Sequence, residues 1–219
     1  MGRIRIKICC ISSIEEAGTA IELGADAIGL VGKMPSGPGP IPDELIRQIA
    51  QAVPPPVATF LLTSETTVSG IIKHHSRTNT GTIQIVDQLS EGTYSQIREA
   101  LPSVKIVQVI HVIDSDSVDL AIRLSEKVDA LLLDSGNPNL KIKELGGTGR
   151  IHNWKLSRQI REKAKCPVFL AGGLNPDNVR QAVEEVEPYG IDICSGVRTN
   201  GVLDRNKLTA FMANIITAS

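Results

Sequence analysis

The chain keeps one rhythm throughout. Short apolar runs of strand character alternate with helix-like stretches. The strand-like runs fall at 4–9, 27–31, 57–62, 82–86, 104–110, 130–134, 168–171 and 191–194. Helix-like stretches follow each of them, beginning near 12–13, 42, 66, 94, 117, 154, 176 and 207. Short, mostly apolar strands are what parallel strands covered on both faces require. Eight strand–helix pairs in 219 residues therefore predict an α/β fold, a single-domain (β/α)8 barrel spanning 1–219. An open doubly wound sheet is the competitor, and it would carry its glycine-rich turn after the first strand. That turn reads Cys9-Cys10-Ile11-Ser12-Ser13, with no glycine.

Glycine instead marks the late strands. Gly146-Gly147-Thr148-Gly149, Gly172-Gly173-Leu174-Asn175 and Ser195-Gly196 follow strands six, seven and eight. Such turns present backbone N–H groups to an anion, and this fold binds phosphate in the loops after strands seven and eight. They also serve simply as tight strand-to-helix turns.

In a barrel of this kind the active site lies at the C-terminal strand ends. That rule selects Cys9, Lys33, Gln84, His111, Asp134, Gly172, Asp192 and Ser195. Asp134 ends an apolar run, so burial would raise its pKa and suit it to general-acid work. Its plainer role is capping the next loop. A thiol such as Cys9 becomes a base where positive charge favours the thiolate, and Lys7 shares its strand face. Its plainer role is that of a small buried hydrophobe. Cys10, one residue on, is expected on the opposite strand side as packing. His74 and His75 fall in a polar helix tail and are expected to be solvated.

Net charge is −1, which advertises no nucleic-acid surface, and no apolar run approaches the ~20 residues of a membrane helix. The four cysteines form no C-x-x-C pair, so neither a metal site nor a disulfide framework is expected, and a reducing cytoplasm is the simplest location. The residue pattern implies a small-molecule phosphate ligand, no nucleic acid, no membrane and no metal. It leaves monomer and homodimer equally open.

Several segments together resemble the phosphoribosylanthranilate isomerase family. They are Lys7-Ile8-Cys9, Glu22 to Gly29, Leu132-Leu133-Asp134, Gly146 to Gly149 with Trp154, Leu170 to Val179, and Asp192 to Val197. The resemblance implies a cofactor-free (β/α)8 barrel of tryptophan biosynthesis that performs an Amadori rearrangement of an aminoaldose phosphate. It implies Asp134 as the acid that opens the ribose ring and Cys9 as the base that removes the C2 proton. Amides of Gly147, Gly172, Gly173, Ser195 and Gly196 would hold the phosphate. The chain departs from the family pattern elsewhere. Cys10 replaces the usual glycine and Val86 the usual histidine. Aligned through Pro42, Pro38 stands where an arginine contacts the anthranilate carboxylate. Arg198 stands where glutamate is usual. Lys7, Lys33, Gln84 and Arg198 are the remaining candidates for substrate contact, with Lys33 and Arg198 as replacement cations. Two alternatives stay open: a paralogous isomerase or lyase on another sugar phosphate, and a non-catalytic phosphate-binding barrel.

Overall fold

A computed structural model describes residues 3–146 and 149–216. Its core elements run in chain order as β1 (Arg5–Ile8), α1 (Ile14–Glu22), β2 (Ala27–Val31), α2 (Asp43–Ala52), β3 (Ala58–Thr63), α3 (Val68–Thr78), β4 (Thr82–Ile85) and α4 (Tyr94–Ala100). They continue as β5 (Lys105–His111), α5 (Ser115–Ser125), β6 (Ala130–Asp134), α6 (Trp154–Lys163), β7 (Val168–Leu170), α7 (Val179–Val186) and β8 (Gly190–Ile193). A 3-10 turn at Ser195–Val197 and a two-stranded ribbon, β9 (Arg198–Thr199) and β10 (Val202–Leu203), precede α8 (Arg205–Ile216).

All of the strands β1 to β8 pair in parallel with their sequence neighbours, and β1 closes on β8 through Ile6↔Ile191 and Ile8↔Ile193. The predicted barrel is therefore the observed one. The period-two alternation sorts each strand into two cores. Ile6, Ile8, Ile28, Leu30, Leu131, Leu133, Ile191 and Ile193 pack outward with helix residues such as Ile46, Ile71 and Phe211. Ala27, Val31, Phe60, Leu62, Val107, Val109, Leu132 and Phe169 form a second cluster within the barrel. Cys9, Asp134 and Asp192 share the inward parity, which delivers them to its lumen.

Helix boundaries follow their caps. The Ser13 side chain accepts the Glu16 amide and starts α1. Asp114 accepts the amides of Asp116 and Ser117, so α5 begins two residues before the predicted 117. Asn175 likewise accepts the amides of Asp177 and Asn178, which holds a turn ahead of α7 and delays its start to Val179. Thr67 caps α3, which runs on to Thr78 and ends on Asn79 in the left-handed region.

The length of α3 overturns one expectation. His74 and His75 are buried, not solvated. His74 bridges Thr63 (2.8 Å) and Asp43 (3.1 Å), and His75 contacts the Thr80 carbonyl at 2.7 Å. Gly32 leaves the room that the His74 ring needs, since a Cβ there would collide with it. A polar sequence at a helix end does not reveal that the imidazoles have partners waiting on the neighbouring strand and helix.

Candidate active site

A cavity opens at the C-terminal end of the barrel. Its floor and walls combine Cys9, Asp134, Asp192 and Gln84 with the glycine turns at 146, 149, 172 and 173 and with Ser195. Val31, Met34, Pro38, Leu62, Val86, Leu132 and Leu145 add apolar surface to the same lining. The cavity thus combines backbone-polar turns with apolar side chains.

Asp134 terminates β6 and is 7% exposed. Burial pushes its carboxyl above the ordinary value, and the charge of Asp192 adds to this. The Ser135 amide, His111 and Lys7 oppose the shift. Its Oδ1 accepts the Ser135 amide at 2.7 Å, which is the capping role. Oδ2 faces Gly146, where a Cβ would stand 2.7 Å from it. Only glycine lets the loop after β6 cross so near the carboxyl.

Lys7 is fully buried beneath the cavity, and its Nζ lies 2.8 Å from Asp192 Oδ1 and 5.3 Å from the Phe60 ring centre. The contact is an ion pair without aligned hydrogen-bond geometry. Burial disfavours the ammonium, but Asp192 and the neighbouring thiols outweigh it and hold the Lys7 pKa above its ordinary value. Cys9 Sγ and Lys7 Nζ both border Gly29, 2.8 and 2.9 Å from where its Cβ would stand. Lys7 is therefore a neighbour of the Cys9 thiol and does not line the cavity.

The glycine turns interlock. Gly173 (φ +65°) abuts the Arg150 and Ile151 backbone, and Gly196 abuts the Leu174 carbonyl. Side chains at either position would force these loops apart. Among the described residues, the amides of Gly172, Gly173, Ser195 and Gly196 donate to no protein acceptor. Gly147 lies outside the described residues.

The remaining candidates divide. Gln84 lines the cavity, and its Oε1 is buried without a partner. Arg198 does not reach the cavity. Its guanidinium meets Glu16 at 3.1 Å and the carbonyls of Cys9 (3.2 Å), Cys10 and Gly201 (2.9 Å). It is a clamp on the exit of β1. Lys33 is exposed and lies in a separate groove with Ser64, Glu65, Asp87 and Lys143. Among the described lining residues no lysine or arginine appears. His111 gives its Nε2 to the Val86 carbonyl at 2.9 Å and lies outside the lining.

Cys10 is the residue that strand alternation misplaces. Its φ is +61°, so the backbone leaves the extended form and the thiol lines the cavity instead of packing outside. The signal for this was present in the sequence, because glycine is the usual residue at this position in the family it resembles, and a left-handed φ favours glycine. Among the described residues no cluster of His, Cys, Asp and Glu is placed to hold a metal, and no helix is long and apolar enough to cross a membrane.

Known proteins agree with this architecture. Residues 6–214 match the family model described as N-(5'phosphoribosyl)anthranilate (PRA) isomerase. An N-(5'-phosphoribosyl)anthranilate isomerase 2 of Methanosarcina mazei is 34% identical over 95% of this chain and 92% of its own length. The crystal structure of phosphoribosyl anthranilate isomerase from Thermotoga maritima superposes with a TM-score of 0.80 at 27% identity, covering 98% of this chain and 99% of that one. A phosphoribosyl anthranilate isomerase in complex with reduced 1-(o-carboxyphenylamino)-1-deoxyribulose 5-phosphate gives 0.77 at 26% identity, covering 98% and 99%. The chain belongs to the N-(5'phosphoribosyl)anthranilate (PRA) isomerase family.

Proposed function

We propose that this protein isomerises N-(5'-phosphoribosyl)anthranilate to the corresponding 1-amino-1-deoxyribulose 5-phosphate, the Amadori step of tryptophan biosynthesis. The observation that carries the reading is one cavity lined by Cys9, Asp134 and three glycine-bearing loops. Unpartnered amides at 172, 173, 195 and 196 suit the 5'-phosphate, which they would meet without any side-chain cation. Gly147 completes that set by resemblance.

Asp134 in its protonated form gives its proton to the ribose ring oxygen. The C1–O bond breaks and the aminoaldose becomes a protonated Schiff base. The Cys9 thiolate removes the C2 proton, the C2–H electron pair forms the C1=C2 bond, and the C1=N π pair returns to the nitrogen to give an enolamine. Tautomerisation to the ketone completes an isomerisation with no net oxidant or reductant. Burial holds the Asp134 carboxyl above its ordinary pKa, which favours the protonated form this step needs. The apolar surface of Val31, Met34, Leu62 and Val86 suits the aromatic ring. The protein acts in this reading as a monomer or homodimer in the cytoplasm.

A second reading, an isomerase for an aminosugar phosphate with a different aglycone, is favoured by one observation. No described lining side chain carries the positive charge that the anthranilate carboxylate would meet. Complementation of a tryptophan auxotroph lacking this isomerase separates the two. The proposal expects growth with wild type and none with Cys9→Ala or Asp134→Asn. Failure of a soluble wild-type protein to restore growth would overturn it.

A further inference from the structure

Three of the four cysteines meet at the barrel mouth. Cys9 and Cys10 follow β1, Cys194 follows β8, and these strands are paired, with the Cys9 amide donating to Ile193 at 2.8 Å. The left-handed turn at Cys10 swings its thiol towards β8. The sulfurs of Cys10 and Cys194 lie 2.7 Å apart in a thiol–thiol hydrogen bond. A disulfide needs about 2.05 Å, an approach of only about 0.65 Å more. Both are free thiols, and neither has a part in the proton transfers assigned above.

We propose that Cys10 and Cys194 form a redox modification site, which hydrogen peroxide converts to an intramolecular disulfide that impairs the neighbouring active site. Cys194 is the half-buried member and lines the cavity, so an oxidant small enough to enter can reach it. Hydrogen bonding from Cys10 and the Arg198 guanidinium draw its pKa below the ordinary value against the effect of burial, while Cys10 is held well above. The Cys194 thiolate attacks the peroxide oxygen, the O–O bond breaks, and a sulfenic acid and hydroxide result. Cys10 then attacks the Cys194 sulfur, the S–S bond forms and water leaves with the sulfenic oxygen. Two thiols and one peroxide become one disulfide and two waters. Cys9 is a poorer partner for Cys10, because adjacent residues close a strained ring.

The consequence for turnover rests on the isomerase reading; the disulfide itself does not. Cys10 supports the loop after β2. Its Sγ lies 3.7 Å from the Pro38 carbonyl, and Gly39 packs directly on it. Drawing that sulfur towards β8 removes the seat of the Pro38–Gly39 segment and pulls on the residue preceding Ser195.

The test treats fully reduced protein with hydrogen peroxide, traps remaining thiols by alkylation and maps the peptides by mass, with no substrate needed. Turnover is measured in parallel before oxidation, after it, and after dithiothreitol. The proposal expects a Cys10–Cys194 cross-linked peptide and a fall in kcat/KM of about tenfold or more, restored by dithiothreitol, since ångström-scale displacement carries that cost. Cys194→Ser and Cys10→Gly, each compared with its own untreated activity, form no cross-link and lose little at the same dose. Oxidation found on Cys9 alone would overturn the pair. An equal loss in both variants, or a cross-link without loss, would overturn its link to catalysis.

Discussion

Lys7 and Asp192 concentrate the charge cost of this site. Their side chains are 0% and 7% exposed, and among the described residues neither makes another ion pair. Removing one partner of such a pair strands a buried charge. Lys7→Met should therefore lower unfolding stability by about 3–5 kcal/mol, and adding Asp192→Leu should recover most of that loss. Denaturant unfolding of the two single variants and the double variant measures the coupling. Asp134→Asn is isosteric and should leave stability nearly unchanged while lowering kcat by about 10²–10⁴-fold, the range for a lost general acid. Steady-state turnover with a circular-dichroism check separates the two effects. Asp134 and Cys9 were legible as strand-end residues because a polar group closing an apolar inward-facing run has few structural uses. The Lys7–Asp192 pairing was not, because it depends on which strands close the barrel. Cys10 was misplaced for a different reason: alternation assumes extended backbone, and one left-handed residue cancels it.

Among the elements, strand ends and loops both line the cavity. The loop after β2 contributes Met34, Ser36, Gly37 and Pro38 to the cavity, with no cation. Pro38→Arg should lower KM for the anthranilate substrate by about tenfold or more with little change in kcat, because a guanidinium–carboxylate pair adds binding that is uniform along the reaction. Parallel assays of anthranilate and aniline adducts would register the change as discrimination. The turns after β7 and β8 have tighter demands. Gly173→Ala places a Cβ 2.7 Å from the Arg150 backbone at φ +65°, which should cost about 1–3 kcal/mol in stability and weaken inorganic phosphate binding measurably by calorimetry. The sequence suggested the anion-binding role of these glycines. It did not show that they also key three successive loops together, since that contact joins residues distant in the chain. Arg198 illustrates the same limit. Its position after β8 suggested a substrate cation, whereas Glu16 on α1 and the carbonyls of Cys9 and Cys10 occupy it.

Over the whole molecule, the alternating pattern of eight strands was enough to specify a closed barrel, because each strand's parity divides its residues between lumen and helix layer. Helix ends were less legible, as capping by Thr67, Asp114 and Asn175 is decided residue by residue. Histidines shielded from solvent link this architecture to pH. Burial lowers the His152 pKa to about 4, and its Nε2 lies 2.7 Å from Ser157 Oγ at the start of α6. His74 is lowered too, by burial, with Asp43 opposing. A group depressed in the folded state is protonated first in the unfolded chain. Its contribution to stability is therefore complete above about pH 6.5 and is lost as pH falls through the folded value. Denaturation midpoints should decline from pH 7 to pH 5, and His152→Gln should flatten that decline. We propose that this barrel isomerises its substrate through Asp134 and Cys9. Incubation of the purified protein with N-(5'-phosphoribosyl)anthranilate, followed by the loss of its fluorescence, tests it most directly. Enzyme-dependent conversion to the ribulose product is expected, and Asp134→Asn and Cys9→Ala should each reduce it by at least about a hundredfold. A folded wild-type protein with no conversion would rule out the isomerase reading, and variants as active as wild type would rule out the roles of Asp134 and Cys9.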